Sequence, residues 1–232
     1  MIYKNLHDWQ VDFKEARLIQ NNLADKIILE NGFSQLNTVA GCDVGYSTSM
    51  NHAYAVICLY DFPSIKKRNE VYSVSEVTYP YIRGLFTFRE GPPLLKAFEQ
   101  LNENPDVIIF NGQGIAHPRK MGLATHMGIL LDIPSIGCTL RTMFGNIEEP
   151  GNHRGDRCDV RNIRNETMGC WLRTRENVRP VFISQGYKID LPTATDIILN
   201  CTLNFKLPEP LRAAHIAANQ LKALYLDRKD GD

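Results

Sequence analysis

The sequence has no CxxC pair, no net charge and no apolar run approaching the ~20 residues that span a bilayer. Each absence removes a class of protein. Lys and Arg total 26, as do Asp and Glu, so no overall positive field draws in a polyanion. Any nucleic-acid surface must then be a local patch. The six cysteines are scattered and lie mostly in apolar surroundings such as AVICLY and SIGCTL, which argues against a zinc ribbon or a disulfide framework. They read as reduced, buried thiols. The opening residues, MIYKNLHDWQ, lack a basic flank followed by an apolar stretch, so no leader peptide is expected. A soluble, cytoplasmic protein without membrane association is the expectation.

An apolar fraction of 44% over 232 residues is enough for a sizeable core. No internal repeat or low-complexity linker interrupts the chain, and one domain over residues 1–232 is the simplest account. Apolar spacing predicts a helix from about His7 to Glu30, stopped by Asn31-Gly32. Three alternating runs, Val39–Tyr46, Ala53–Tyr60 and Glu70–Val77, predict an antiparallel meander. A helix is expected from about Pro92 to Asn102, with proline in its first turn. Buried strands are expected at Val107–Phe110 and Ser135–Cys138, with a helix at Leu123–Leu131 between them. An Arg-rich polar stretch from about Asn146 to Asn165 precedes strands at Met168–Thr174 and Val181–Ser184. Helices near Pro192–Leu203 and Pro208–Leu226 close the chain. Hairpins first, then alternating helices and buried strands, predict an α/β fold with a mixed sheet flanked by helices.

Several segments carry candidate chemistry. In Ala40-Gly-Cys-Asp-Val-Gly-Tyr46, Asp43 shares a strand face with Gly41 and Gly45, a pattern that signals close approach of a ligand or of another backbone. Glu90 precedes Gly91-Pro92, where it serves either chemistry or a helix dipole. Tyr81, in Tyr79-Pro-Tyr-Ile-Arg-Gly84, sits in a stiff aromatic loop suited to stacking on a base or to capping the core. The densest segment is Asn111-Gly-Gln-Gly-Ile-Ala-His-Pro-Arg-Lys-Met-Gly-Leu-Ala-Thr-His126, placed where ligands gather at a strand C-terminus. Its spacing excludes a P-loop, and its two histidines lack a third zinc ligand at helical spacing. Arg212 and His215 are neighbours on one helical face. Arginines 154, 157, 161, 164, 173, 175 and 179 form either a phosphate-contacting strip or a solvated face.

Taken in order, GCDVGY, PYIRGLFTFRE, GQGIAHPRKMGLATHMG, DIPSIG and LPEPLRAAH resemble the endonuclease V family. The resemblance runs from the first strand to the last helix. It implies an RNase H-like fold and a Mg²⁺-dependent nick 3′ to a deaminated base, chiefly inosine, in single- or double-stranded DNA or, in some members, RNA. It implies metal-binding and catalytic roles for Asp43 and Glu90, and a role for His215 in placing the attacking water. Tyr81 resembles the wedge that fills the gap left by a rotated base. Gly84, Leu85, Gly112, Gly122 and Leu123 fall where the family builds its base pocket, with His117 in the adjoining turn. A monomer is expected.

The departures matter equally. The family's Asp-Gly-His-Gly is here Asn111-Gly-Gln113-Gly, so a principal metal ligand is an amide. Leu140 stands in place of a family lysine, with Arg141 beside it, and Arg83 replaces the second proline of the wedge. Weakened Mg²⁺ or Mn²⁺ binding and weakened cleavage follow as the expectation. The alternative is an inactive homologue that binds inosine-containing or distorted nucleic acid without cutting it.

Overall fold

Asp12 opens the first helix by accepting from the backbone N–H groups of Lys14 and Glu15 at 2.7 and 2.9 Å. This helix, α1, is Phe13–Ala24, shorter at both ends than the apolar spacing suggests. Residues before it run as an irregular strap that carries His7 and Trp9 into an aromatic cluster with Phe88 and His126. The expected antiparallel meander follows as β1 (Thr38–Ser47), β2 (His52–Asp61) and β3 (Lys67–Glu76). Next come α2 (Phe86–Phe98), β4 (Val107–Asn111), α3 (Leu123–Leu131) and β5 (Ser135–Thr139). The chain then forms β6 (Arg157–Arg161), β7 (Thr167–Leu172), β8 (Val181–Tyr187), α4 (Leu191–Asn200) and α5 (Glu209–Asp227).

The computed structural model describes residues 2–47, 49–142 and 148–227. Its strands join one eight-stranded sheet in the order β3-β2-β1-β4-β5-β8-β7-β6. β4 runs parallel to β1 and β5 parallel to β4, while β8, β7 and β6 add on as antiparallel strands. This mixed α/β sheet flanked by helices is RNase H-like. Alternation along the central strands sends Val39, Val107 and Ile109 to the face covered by α4 and α5. Ala40, Cys42, Ile108 and Phe110 go to the face covered by α2 and α3. Both faces are therefore buried, as the continuous apolar runs require. No helix among the described residues is long and apolar enough to cross a membrane.

Two features differ from the sequence expectation, and a third decides between two readings. First, α2 starts at Phe86, not Pro92, so Pro92 and Pro93 lie inside it. Each proline removes an amide donor from the helix ladder. Burial of Phe88, Leu94, Leu95 and Phe98 outweighs that loss and holds the helix together. Glu90 is thus buried in the second turn of the helix, beyond the first turn where it would complement the dipole. Second, the Arg-rich stretch contains the edge strand β6, of which only Val160 is buried. An edge strand with one buried residue lacks the apolar alternation that would reveal it. Third, the partner announced by the Gly-Asp-Gly pattern is a backbone. A Cβ on Gly41 would stand 2.1 Å from the Pro210 carbonyl carbon, so this glycine lets α5 lie against β1.

Candidate active site

β1 outruns its parallel neighbour. Pairing between β1 and β4 ends at Cys42 and Phe110, so the next residues, Asp43 and Asn111, emerge side by side at the C-terminus of β4. Asn111 Nδ2 donates to Asp43 Oδ1 at 2.9 Å. From α5, His215 Nδ1 donates to Asp43 Oδ2 at 2.6 Å, and Asn219 Nδ2 donates to His215 Nε2 at 3.2 Å. Asn219 thereby favours the tautomer that points its proton at the carboxylate. Both oxygens of Asp43 are engaged.

Glu90 reaches the same place from α2. Burial, and after it the nearby Asp43 carboxylate, push its carboxyl well above the usual range. Opposing this, Tyr46 donates a long hydrogen bond to Glu90 Oε1 at 3.4 Å. Tyr46 was not singled out in the sequence, although its even position puts it on the α2 face with Cys42 and Val44. Arg89 lies over the Tyr46 ring at 4.5 Å and donates to the Tyr79 carbonyl at 2.9 Å. It ties the first turn of α2 to the loop ahead of it.

That loop ends in a tight turn, closed by the Leu85 N–H donating to the Ile82 carbonyl at 2.9 Å. Gly84, its third residue, has φ +80°, where a type II turn calls for glycine. The Gly84 carbonyl accepts from His117 Nε2 at 3.0 Å and from Arg119 Nη2 at 2.7 Å. His117 Nδ1 in turn accepts from the Arg119 and Met121 backbone N–H groups at 3.2 and 3.4 Å, which leaves the ring proton on Nε2. Burial, with the Arg119 guanidinium second, lowers the His117 pKa to about 4. The ring is a fixed neutral donor at neutral pH.

These parts share one cavity of about 600 Å³, a size suited to a small ligand group. Asp43, Glu90 and Asn111 line it together with Tyr81, Gly84, Gly112, His117, Gly122 and Leu123. Leu85 does not line it; its side chain is fully buried, and it marks the start of α2. His215 does not line it either and reaches the site through Asp43. Tyr81 is 71% exposed, with its ring edge-on to Phe86 at 5.7 Å. Leu140 is 48% exposed and turned out of the cavity, whereas Arg83, Gln113 and Arg141 line it. Gln113 Nε2 donates to the Arg141 carbonyl at 3.3 Å, holding that loop near Asn111.

The Gly84 turn allows a direct prediction. Gly84→Ala would force a positive φ on an L residue, at roughly 1–2 kcal/mol. Its Cβ would also stand 3.1 Å from Arg119 Nη2. The melting temperature should fall by only about 2–8 °C, since 1 kcal/mol corresponds to about 2–4 °C at this size. Thermal melting of the variant beside the parent checks this.

A hard divalent cation suits the donor types present: the Asp43 and Glu90 carboxylates and the Asn111 side-chain carbonyl. The set is short of charge, because Asn111 offers an amide and turns its N–H toward Asp43. Among the described residues no three His, Cys, Asp or Glu side chains are grouped to hold an ion.

The arginine strip is largely a structural device. Arg173 is buried and donates to the carbonyls of Pro150, Gly151 and Val178. Arg154 donates to the Leu199 carbonyl near the end of α4, and Arg175 to that of Asn204. Arg157 reaches Thr195 Oγ1, and Arg161 reaches the Asn165 carbonyl. These five guanidiniums hold loops and helix ends, a role that neither sequence reading, a strip for phosphates or a solvated face, includes.

The profile of the family described as Endonuclease V matches residues 21–216 of this chain. The chain is 47% identical over 216 residues to the endonuclease V of Methanothrix thermoacetophila, covering 93% of itself and 95% of that protein. It is similar to the crystal structure of an endonuclease V from Bacillus subtilis, with a TM-score of 0.92, 29% identity and coverage of 98% and 100% of the two chains. Similarity also extends to Ciona intestinalis endonuclease V in complex with a 24mer DNA containing an inosine followed by a ribo-adenosine. There the TM-score is 0.81 at 26% identity, over 91% of this chain and 98% of that one.

Proposed function

This chain belongs to the endonuclease V family, and on that premise we propose that it binds nucleic acid at a deaminated base, chiefly inosine, and nicks the strand 3′ to it only weakly. A deaminated base pairs poorly, so rotating it out of a duplex costs less than rotating out an ordinary base. Tyr81, exposed at the mouth of the cavity, would fill the gap left behind. The turn at Gly84 and the walls at Gly112, Gly122 and Leu123 would receive the base. The resemblance to a structure holding inosine-containing DNA supports this reading.

Mg²⁺ or Mn²⁺, when bound, would be held by Asp43, Glu90 and the Asn111 carbonyl, and would supply charge neutralisation at the phosphate and an activated water. His215 holds Asp43 in place from behind. Tyr46 holds Glu90. The observation that carries the weak-cleavage part is the 2.9 Å hydrogen bond from Asn111 to Asp43, where an amide N–H stands beside the one carboxylate of β1 in the cavity. The same hydrogen bond favours a second reading, an inosine-binding protein that does not cut.

End-labelled single-stranded DNA and RNA carrying one inosine, with millimolar Mg²⁺ and Mn²⁺ in parallel, test the proposal. Slow nicking one phosphodiester beyond the inosine is the expected result, faster with Mn²⁺ and abolished by Asp43→Ala. Tight binding with no product under any metal would establish the second reading. Efficient nicking at low Mg²⁺ would overturn the weak-cleavage claim.

A further inference from the structure

α1 buries Ala16, Gln20 and Leu23 along one stripe, and Gln20 is the polar member of that stripe with no exposed surface. A buried amide needs partners for both ends. Gln20 Nε2 donates to the Met121 carbonyl at 3.2 Å, and Gln20 Oε1 accepts from Arg119 Nε at 2.7 Å. The far end of the same guanidinium, Nη2, donates to the Gly84 carbonyl at 2.7 Å. Met121, Gly122 and Gly84 all line the cavity, while Gln20 and Arg119 do not. One side chain on a peripheral helix therefore connects two walls of the cavity: the Gly84 turn through Arg119, and the Met121-Gly122 segment directly. The geometry also explains why Arg119, which forms no ion pair among the described residues, can lie half-buried here. Its fork is shared between an amide oxygen and a backbone carbonyl.

We propose that Gln20 is a positioning residue for base selectivity, fixing the distance between the Gly84 turn and the Met121-Gly122 wall. This rests on reading the cavity as the base pocket. Gln20 lies one residue ahead of the span that the family profile matches, 21–216, so the profile itself assigns it nothing. A pocket that reads a base edge through backbone groups needs those groups held to within a fraction of an ångström, and backbone turns with positive φ do not hold themselves. The Gly84 carbonyl is held by His117 and Arg119 together, and Gln20 is what orients Arg119.

The test is the ratio of dissociation constants for single-stranded oligonucleotides carrying adenine or inosine at one position, measured with chelator present and alongside thermal melting. Gln20→Met, similar in volume without hydrogen-bonding capacity, is expected to lower that ratio about tenfold, chiefly by weakening inosine binding. Gln20→Glu keeps an acceptor for Arg119 but sets a carboxylate oxygen against the Met121 carbonyl in place of the amide donor, so its ratio should fall between those of the parent and Gln20→Met. Arg119→Lys keeps the charge and cannot bridge Gln20 to Gly84, so it should behave like Gln20→Met. A merely structural glutamine would lower the melting temperature and leave the ratio unchanged. An unchanged ratio in Gln20→Met and Arg119→Lys, with preference intact in the parent, would overturn the positioning role and leave the base-pocket reading standing. Absence of any preference in the parent protein would instead overturn the base-pocket reading itself.

Discussion

Replacing Asn111 with aspartate is expected to tighten Mn²⁺ binding by about two powers of ten or more. The argument is electrostatic. Asn111 and Asp43 lie side by side where β4 ends, and the amide N–H of one donates to the carboxylate of the other. An ion placed between them meets one full negative charge from this pair instead of two. At an effective dielectric near 20, a unit charge within about 4 Å of a divalent ion is worth several kcal/mol. Competition between the two carboxylates for space and protons reduces the gain but does not cancel it. Calorimetric titration of Mn²⁺ into the free protein reads this without any nucleic acid. Nicking should rise in the same variant, and further when Leu140→Lys is added. An Asn111→Asp protein that binds Mn²⁺ no better than the parent would show that charge at this position is not what limits the site.

The second large effect is structural, and it separates two glycines that look alike in the sequence. Gly41→Ala should destabilise the fold by about 3 kcal/mol or more, a fall in melting temperature of roughly 6–12 °C. The added Cβ would stand 2.1 Å from the Pro210 carbonyl carbon and 2.3 Å from the Leu211 nitrogen, both backbone atoms that no rotamer change can move. α5 must shift away from β1. Because α5 carries His215, the hydrogen bond to Asp43 should lengthen with it, so metal binding should weaken as well. Gly45→Ala is the control: the nearest atom to its added Cβ is the Ala218 carbonyl oxygen at 3.3 Å, and a small adjustment suffices. Its melting temperature should stay within about 4 °C of the parent, the equivalent of about 1 kcal/mol. Similar losses in the two variants would contradict the close contact between α5 and β1.

Much of this is legible in the sequence. Period-two runs located β1, β2 and β3, and short apolar runs located β4 and β5, because strands buried on both faces need little else. The convergence of Asp43, Asn111 and Glu90 was readable from the family resemblance, whereas the parallel pairing of β1 with β4 that sets Asp43 beside Asn111 was not. Other features were hidden for identifiable reasons. Two prolines masked the start of α2, since local stereochemistry argues against a helix that only tertiary burial maintains. β6 was hidden by its edge position. The role of Gly41 depends on α5, which lies at the far end of the chain. Gln20 reads as an ordinary helix residue until Arg119 and Met121 are seen against it. Arginine clustering in sequence left a phosphate strip and a solvated face open, because nothing local shows that backbone carbonyls claim guanidiniums as well as phosphates do.

The proposed function rests on a single cavity, next to a pair of carboxylates, that would receive a rotated-out deaminated base. Equilibrium anisotropy, with chelator present, of one fluorescent single strand carrying inosine against the same strand carrying adenine measures that selection with cleavage removed. The prediction is a preference for the inosine strand of about tenfold or more. Equal affinities for the two strands would contradict it.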